Sequence, residues 1–404
     1  MDSTDPSDEA PGDDARAVDG GAHPAAGGAV AAAATPRARE WARTMGGHQL
    51  GEIPVRHAHA DGTTSLGAAP APDRRAREEL EDRLLAPGAT RSRGAGHREL
   101  AEEPDAERTC FERDRDRILH STAFRRLAGK TQVVVFPEDH QRTRLTHALE
   151  VAQVATAIAR SVGANVALTE AIALGHDCGH GPGGHASEDA FSPYVEGGYD
   201  HAVWGSDTVL RPLNLCVETL DGIRNHSWSR PAPRTPEGEI VSWADRIAYV
   251  CHDFEDAELT GIVSSDDLPP IVRERCGTRR SRQLDSFIGG VVDAIRATGT
   301  VAMTEPMAAA LGEFRRFNYD RIYMRPASLA QSASVIKVLQ ALVEHFGEHP
   351  AQMPRPASDD VEPRGKEALR EAVTYVGGMT DRYAFAQAIE LLDWPISELP
   401  VGIG

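Results

Sequence analysis

Apolar residues recur at three- and four-residue intervals over 145–161, 166–177, 239–259, 284–298, 328–347 and 366–393, the periodicity of helices that bury one face. Only TQVVVF (131–136) reads as a strand, one arm of a small hairpin with PEDH as its turn. Pro- and Gly-rich stretches at 229–238 and 349–364 read as loops between helices, and no internal repeat is visible. The pattern predicts an all-α protein, a helical bundle with at most a small β-hairpin. Towards the N-terminus it fades. Residues 1–75 are dominated by Asp, Ala, Gly and Pro with almost no large apolar side chain before Trp41, and such a segment cannot offset its ordering entropy. It is expected to be a disordered acidic tail, in which His57 and His59 of HAHA are a solvated coincidence. Residues 76–106, which contain most of RRAREELEDRLL, are expected to form a charged helical or extended arm.

The chemistry falls on the predicted helices. His147 shares a stripe with Val151, Val154 and Ile158, while Leu168, Ile172 and His176 form the inward stripe of the next run, with Asp177 at its end. A carboxylate at a helix C-terminus is disfavoured by the macrodipole, and a bound cation compensates. Asp245, Tyr249 and Asp253 follow at i, i+4 and i+8 on one helix face. Two imidazoles and two carboxylates form a borderline-to-hard donor set, suited to one divalent Mn, Mg, Fe or Zn ion with positions open for water and substrate. The competing readings are a satisfied core histidine for His147 and a solvated acidic face for Asp253 in DFEDAE. In CGHGPGGHASE (178–188), Glu188 stands three residues after His185 at the start of a helix. It can accept a hydrogen bond from one ring nitrogen and fix the tautomer of the other, which makes the pair the general acid/base candidate.

The order H…HD…D resembles the HD-domain metal phosphohydrolases. FERDRDRILHSTAFRRLAGKTQV (111–133), RTRLTHALEVAQVA (142–155), HDCGHGPGGHASED (176–189), ADRIAYVCHDFEDA (244–257) and VGGMTDRYA (376–384) are together similar to the bacterial deoxyguanosine triphosphate triphosphohydrolases over about residues 107–400. The resemblance implies an HD-domain core at 107–262, completed by a C-terminal helical region at 263–404. It implies one divalent ion per subunit on His147, His176, Asp177 and Asp245, and hydrolysis of a deoxynucleoside triphosphate to deoxynucleoside and inorganic triphosphate. His185 and Glu188 then take the acid/base role, with His180 as a second loop histidine and His201 near the phosphates. Arg246, Tyr249 and Asp253 match positions that meet phosphate, phosphate and sugar, and the sugar 3′-hydroxyl. Arg144, one turn before His147, is placed for an α-phosphate oxygen. Arg125 and Arg126 stay open between nucleotide contact and structural ion pairing, as Asp381, Arg382 and Tyr383 do between nucleotide contact and locking helices together. Two positions depart from the family. Gly183 replaces an aromatic residue and is expected to loosen the loop holding His185. Cys178 replaces an aliphatic one, and its thiol beside the metal is expected to make the site sensitive to oxidation.

Composition narrows the alternatives. Aromatic content of 5% with abundant Ala, Leu, Val and Ile favours helix packing, and a net charge of −18 argues against a non-specific nucleic-acid surface. Nucleic acid therefore enters at most as a weak regulator. Five scattered cysteines without a C-x-x-C pair point to reduced thiols. With no apolar run near the roughly 18 residues of a membrane span and no signal-peptide core, a cytoplasmic protein without a membrane partner is expected. A homo-oligomer is expected too. The rival readings are a nucleotide-binding regulatory oligomer with weak activity and an HD phosphohydrolase acting on nucleoside monophosphates or cyclic nucleotides.

Overall fold

Thr35 and Pro36 are a favourable helix start, a side-chain cap followed by a residue with pre-set φ, and they open the first helix, α1 (Pro36–Thr44). A computed structural model describes residues 35–67, 71–133, 142–354 and 362–400. Contacts divide the chain into Met1–Ala71 and Pro72–Gly404. In the first unit α1 buries no residue, and His48 and His57 form an isolated antiparallel bridge. The described part of the expected tail thus has local structure. Its first 34 residues lie outside the described ones.

Helices dominate the second unit, and no strand longer than an isolated bridge occurs among its described residues. Its elements are α2 (Arg74–Leu84), α3 (Cys110–His120), α4 (Thr122–Arg126), α5 (Arg144–Val162), α6 (Val166–Gly175), α7 (His185–Phe191) and α8 (His201–Trp204). They continue with α9 (Val217–Asn225), α10 (Pro236–Leu259), α11 (Pro270–Cys276), α12 (Arg280–Thr298), α13 (Glu305–Asn318), α14 (Pro326–Glu348), α15 (Lys366–Gly377) and α16 (Asp381–Leu392). No described helix is long and apolar enough to cross a membrane.

Differences from the sequence expectation have local causes. The run 366–393 is two helices, because the Thr380 side chain accepts the Tyr383 amide and caps a new one. Pro236 serves as a first-turn residue and draws the start of α10 back into the expected loop. Of the expected hairpin, Thr131 bridges Thr143, and the Arg144 amide donates to the Lys130 carbonyl at 3.0 Å. The remainder, 134–141, lies outside the described residues. The 76–106 segment packs on its own chain. Thr90 donates from its amide (3.1 Å) and hydroxyl (2.7 Å) to Glu237, and buried Arg98 pairs with Asp114 at 2.7 Å.

Two hydrophobic clusters hold the unit. One gathers Phe111, Ile118, Val151, Ile172, Val250 and Phe287 from α3, α5, α6, α10 and α12, joined by α9 and α13. The other joins Phe191, Val335, Leu342, Phe346, Val376 and Phe385 from α7 and α14 to α16. The clusters do not follow chain order, since α12 and α13 side with the first and α7 with the second.

Candidate metal centre

Three helices of the first cluster converge on one point. Thr143 caps α5 and sets His147 in its first turns; α6 ends at Gly175 and hands over His176 and Asp177; α10 contributes Asp245 from its middle. His147 Nε2 lies 3.1 Å from Asp245 Oδ1, and His176 Nε2 lies 3.7 Å from the same oxygen and 3.4 Å from Asp177 Oδ1. His176 Nδ1 faces the Ala173 carbonyl at 2.7 Å. A carbonyl only accepts, so Nδ1 carries the proton and the neutral ring turns the Nε2 lone pair towards the carboxylates. This buried Nε2 has no hydrogen-bond partner. An orphaned inward lone pair among two carboxylates and a second imidazole fits a divalent cation.

Arg144 also reaches Asp177. Its Nη1 donates to Asp177 Oδ2 at 2.7 Å with both side chains buried, so it fixes the direction of that carboxylate. Its Nε and Nη2 have no partner. Burial opposes ionisation of Asp177 and Asp245, but the surrounding histidines, with Arg144 beside Asp177, hold both carboxyls below the usual range.

A second group adjoins the first. Glu188 Oε2 lies 3.2 Å from His185 Nδ1, and its Oε1 lies 2.6 Å from His201 Nδ1 while accepting the His201 amide at 3.0 Å. One carboxylate thus braces two imidazoles. The His185 side chain is 73% exposed, whereas His201 is buried and stacks on His180 with centroids 3.7 Å apart. Burial drives the His180 pKa down, and it works against the cation of His201 too, where the bond to Glu188 prevails and raises the pKa.

His226 was missed in the sequence. It closes α9 as His176 closes α6, with Nδ1 2.8 Å from the Ile223 carbonyl. A Cβ on Gly222 would lie 2.4 Å from Ile172, and one on Gly175 2.6 Å from Ile223, so a glycine on each helix permits the close crossing that brings the two histidines together. The ring centroids are 5.0 Å apart. The one signal was a glycine four residues before a histidine, meaningful only once α6 and α9 are known to cross.

The segment from His176 to His185 is held from several sides. Tyr199 OH donates to the Gly179 carbonyl, and buried Lys130 Nζ donates to the carbonyls of His180 and Gly377. Asp381 accepts the amides of Gly183 and Thr131, each at 2.9 Å. Two expectations are thereby corrected. Gly183 (φ +69°) is pinned, and a Cβ there would lie 2.4 Å from Val335 of α14, so no larger residue fits. Cys178 is buried, which pushes its thiol up to about 12, and a thiol without accessible thiolate resists oxidation. Asp381 locks elements together, and neither it nor Arg125, Arg126, Arg382 or Tyr383 lines the cavity.

Both groups open into a cavity of about 390 Å³. Along α10, the Arg246 guanidinium lies 3.5 Å from the centre of the Trp228 ring, and Tyr249 OH accepts from Arg315 Nε at 2.8 Å. Asp253 is 2% exposed and accepts from Arg142 and from Tyr323 OH, so it belongs to no solvated face. Trp228, Arg315, Tyr319 and Tyr323 line the cavity without having been singled out in the sequence. The two tyrosines sit on a π-helical turn after α13, outside every periodic run.

The HD domain matches residues 144–250, a span enclosing all four converging donors, and the Phosphohydrolase-associated domain matches residues 301–389. The Deoxyguanosinetriphosphate triphosphohydrolase-like protein of Caldanaerobacter subterraneus is 39% identical over 78% of this chain and 94% of its own. Proteins of the same description from Clostridium perfringens and Roseobacter denitrificans are 38% and 34% identical, over 71% and 76% of this chain and 87% and 97% of theirs.

Proposed function

Because the chain belongs to the deoxyguanosinetriphosphate triphosphohydrolase-like family of metal-dependent HD-domain phosphohydrolases, we propose that it hydrolyses a deoxynucleoside triphosphate to deoxynucleoside and inorganic triphosphate. The observation that carries this reading is the convergence of His147, His176, Asp177 and Asp245 at one end of a cavity with cationic and aromatic groups along its wall. These four residues would hold the divalent ion, of the Mn, Mg, Fe or Zn group. When bound, the ion supplies Lewis-acid polarisation of a phosphate oxygen and lowers the pKa of water.

The chain's own groups do the rest. Arg144 orients Asp177 through Nη1, leaving Nη2 for an α-phosphate oxygen. Arg246, Arg315 and Tyr249 meet the outer phosphates, their charge held by stacking on Trp228 and by the bond to Tyr249. Asp253, fixed by Arg142 and Tyr323, accepts from the sugar 3′-hydroxyl. His185, oriented by Glu188, delivers a proton to the leaving 5′-oxygen, while His180 and His201 flank the reacting phosphate. Product chromatography over a panel of deoxynucleoside triphosphates tests the reading. Inorganic triphosphate and deoxynucleoside in equal amounts are expected. Pyrophosphate or orthophosphate as the first product, or turnover confined to monophosphates or cyclic nucleotides, would overturn it.

A further inference from the structure

Asp114 stands four residues after Cys110 on α3 and so shares its face. Fully buried, it pairs with Arg98 and accepts the Cys216 amide at 2.8 Å and the Thr219 hydroxyl at 2.7 Å. The backbone at the start of α9 is thereby fixed over the first turn of α3. Arg98 adds to this by donating to the Cys110 carbonyl at 3.1 Å. The Cys216 thiol points at the same carbonyl, with Sγ 3.8 Å from it. Gly96 (φ +78°) lies against both sulfurs. A Cβ there would come 2.5 Å from Cys110 Sγ and 3.5 Å from Cys216 Sγ, so the two sulfurs share the space a side chain would need. The neighbouring Cys110 side chain, ahead of burial, pushes the Cys216 thiol well above its usual range.

We propose that Cys110 and Cys216 are a modification site, forming a reversible disulfide that clamps α3 to α9 when the protein meets hydrogen peroxide. Access sets the order of events. Cys110 is half-buried, whereas Cys178, Cys216, Cys251 and Cys276 are buried, so peroxide reaches Cys110 first. The deprotonated Cys110 sulfur attacks one peroxide oxygen. An S–O bond forms, the O–O bond breaks, and the leaving hydroxide takes up the thiol's proton as water. The Cys216 sulfur then attacks the sulfenic sulfur. An S–S bond forms, the S–O bond breaks, and hydroxide leaves with the Cys216 proton as a second water. Two thiols are oxidised and the peroxide is reduced to two waters. The bond joins segments that Asp114 and Arg98 already hold together. It encloses residues 111–215, with His147, His176 and Asp177 among them, and stabilises by restricting that loop in the unfolded chain.

The test takes full-length protein, reduced with dithiothreitol and desalted, and treats it with a small molar excess of hydrogen peroxide. Non-reducing peptide mapping by mass spectrometry should find the Cys110 peptide joined to the Cys216 peptide, with two thiols lost per chain. The linked protein should melt several degrees higher than the reduced one, and dithiothreitol should reverse both changes. Cys216→Ser should stop at a sulfenic acid on Cys110, captured by dimedone, and Cys110→Ser should keep Cys216 reduced. Unchanged thiols in the wild type, Cys110 carried on to sulfinic acid beside a free Cys216, or a bond between another pair would overturn the site. A linked protein that melts no higher than the reduced one would overturn the clamp. If a variant fails to fold, the peptide map and Tm of the wild type decide.

Discussion

Glu188 divides its two oxygens between His185 and His201, so its loss disturbs both rings while the loss of His185 removes one. His185→Ala is expected to lower kcat by roughly 10²-fold or more with the metal centre still loaded. Glu188→Gln should cost more, and the double variant little more than Glu188→Gln alone. A Glu188→Gln enzyme faster than His185→Ala would show that the carboxylate does not serve both histidines. Asp253 poses a different question, since a buried acceptor left without its hydroxyl is penalised. A 2′,3′-dideoxynucleotide should be a poorer substrate than its 2′-deoxy counterpart by roughly 2 kcal/mol, about 30-fold in kcat/KM. Tyr323→Phe, which frees the direction of the carboxylate, should narrow that gap. Equal kcat/KM for the two nucleotides with the unmodified enzyme would place sugar recognition elsewhere.

At the scale of elements, α16 reaches the loop after His176 through a single carboxylate. Asp381→Ala leaves the buried amide of Gly183 and the Thr131 amide without their acceptor, at about 1–3 kcal/mol for each buried group left unpaired. A lower Tm and a lower kcat are expected together, whereas an unchanged Tm would mean that the loop holds itself. Gly183→Ala meets Val335 in a left-handed backbone and should cost about 1–3 kcal/mol by overpacking, read as a Tm shift of several degrees; a shift within error would contradict the pinned loop. These contacts also explain what was legible in the sequence. His147, His176 and Asp245 each lie on a periodic run, so a face and a donor type could be read together, and the His176–Asp177 doublet marked the end of α6. Gly183 and Cys178 were misread because burial and remote partners on α14 and α16 decide their behaviour, and neither leaves a local pattern. His226 escaped for a related reason. Its helix is short and carries no stripe leading to it, and its meaning comes from the crossing with α6.

Over the whole molecule, the donors of the metal centre come from α5, α6 and α10 of one hydrophobic cluster, and His185 and Glu188 from α7 of the other. The proposed metal donors and the proposed acid/base pair thus come from elements of different clusters. The segment from His176 to His185 is held by Lys130, Tyr199 and Asp381 in addition to its own turns. An ion that ties three helices and does not bind the unfolded chain stabilises by about 2.7 kcal/mol at a hundredfold excess over Kd. Chelation should therefore lower Tm by a few degrees, restored by Mn²⁺, and identical melting of stripped and loaded protein would contradict a centre that links the helices. The proposed reaction itself is tested most directly by running it in water enriched in heavy oxygen and weighing the products by mass spectrometry. Attack at the α-phosphorus places one heavy oxygen in the released triphosphate and none in the deoxynucleoside. Label in the deoxynucleoside, or in a nucleoside monophosphate, pyrophosphate or orthophosphate formed directly from the substrate, would contradict it.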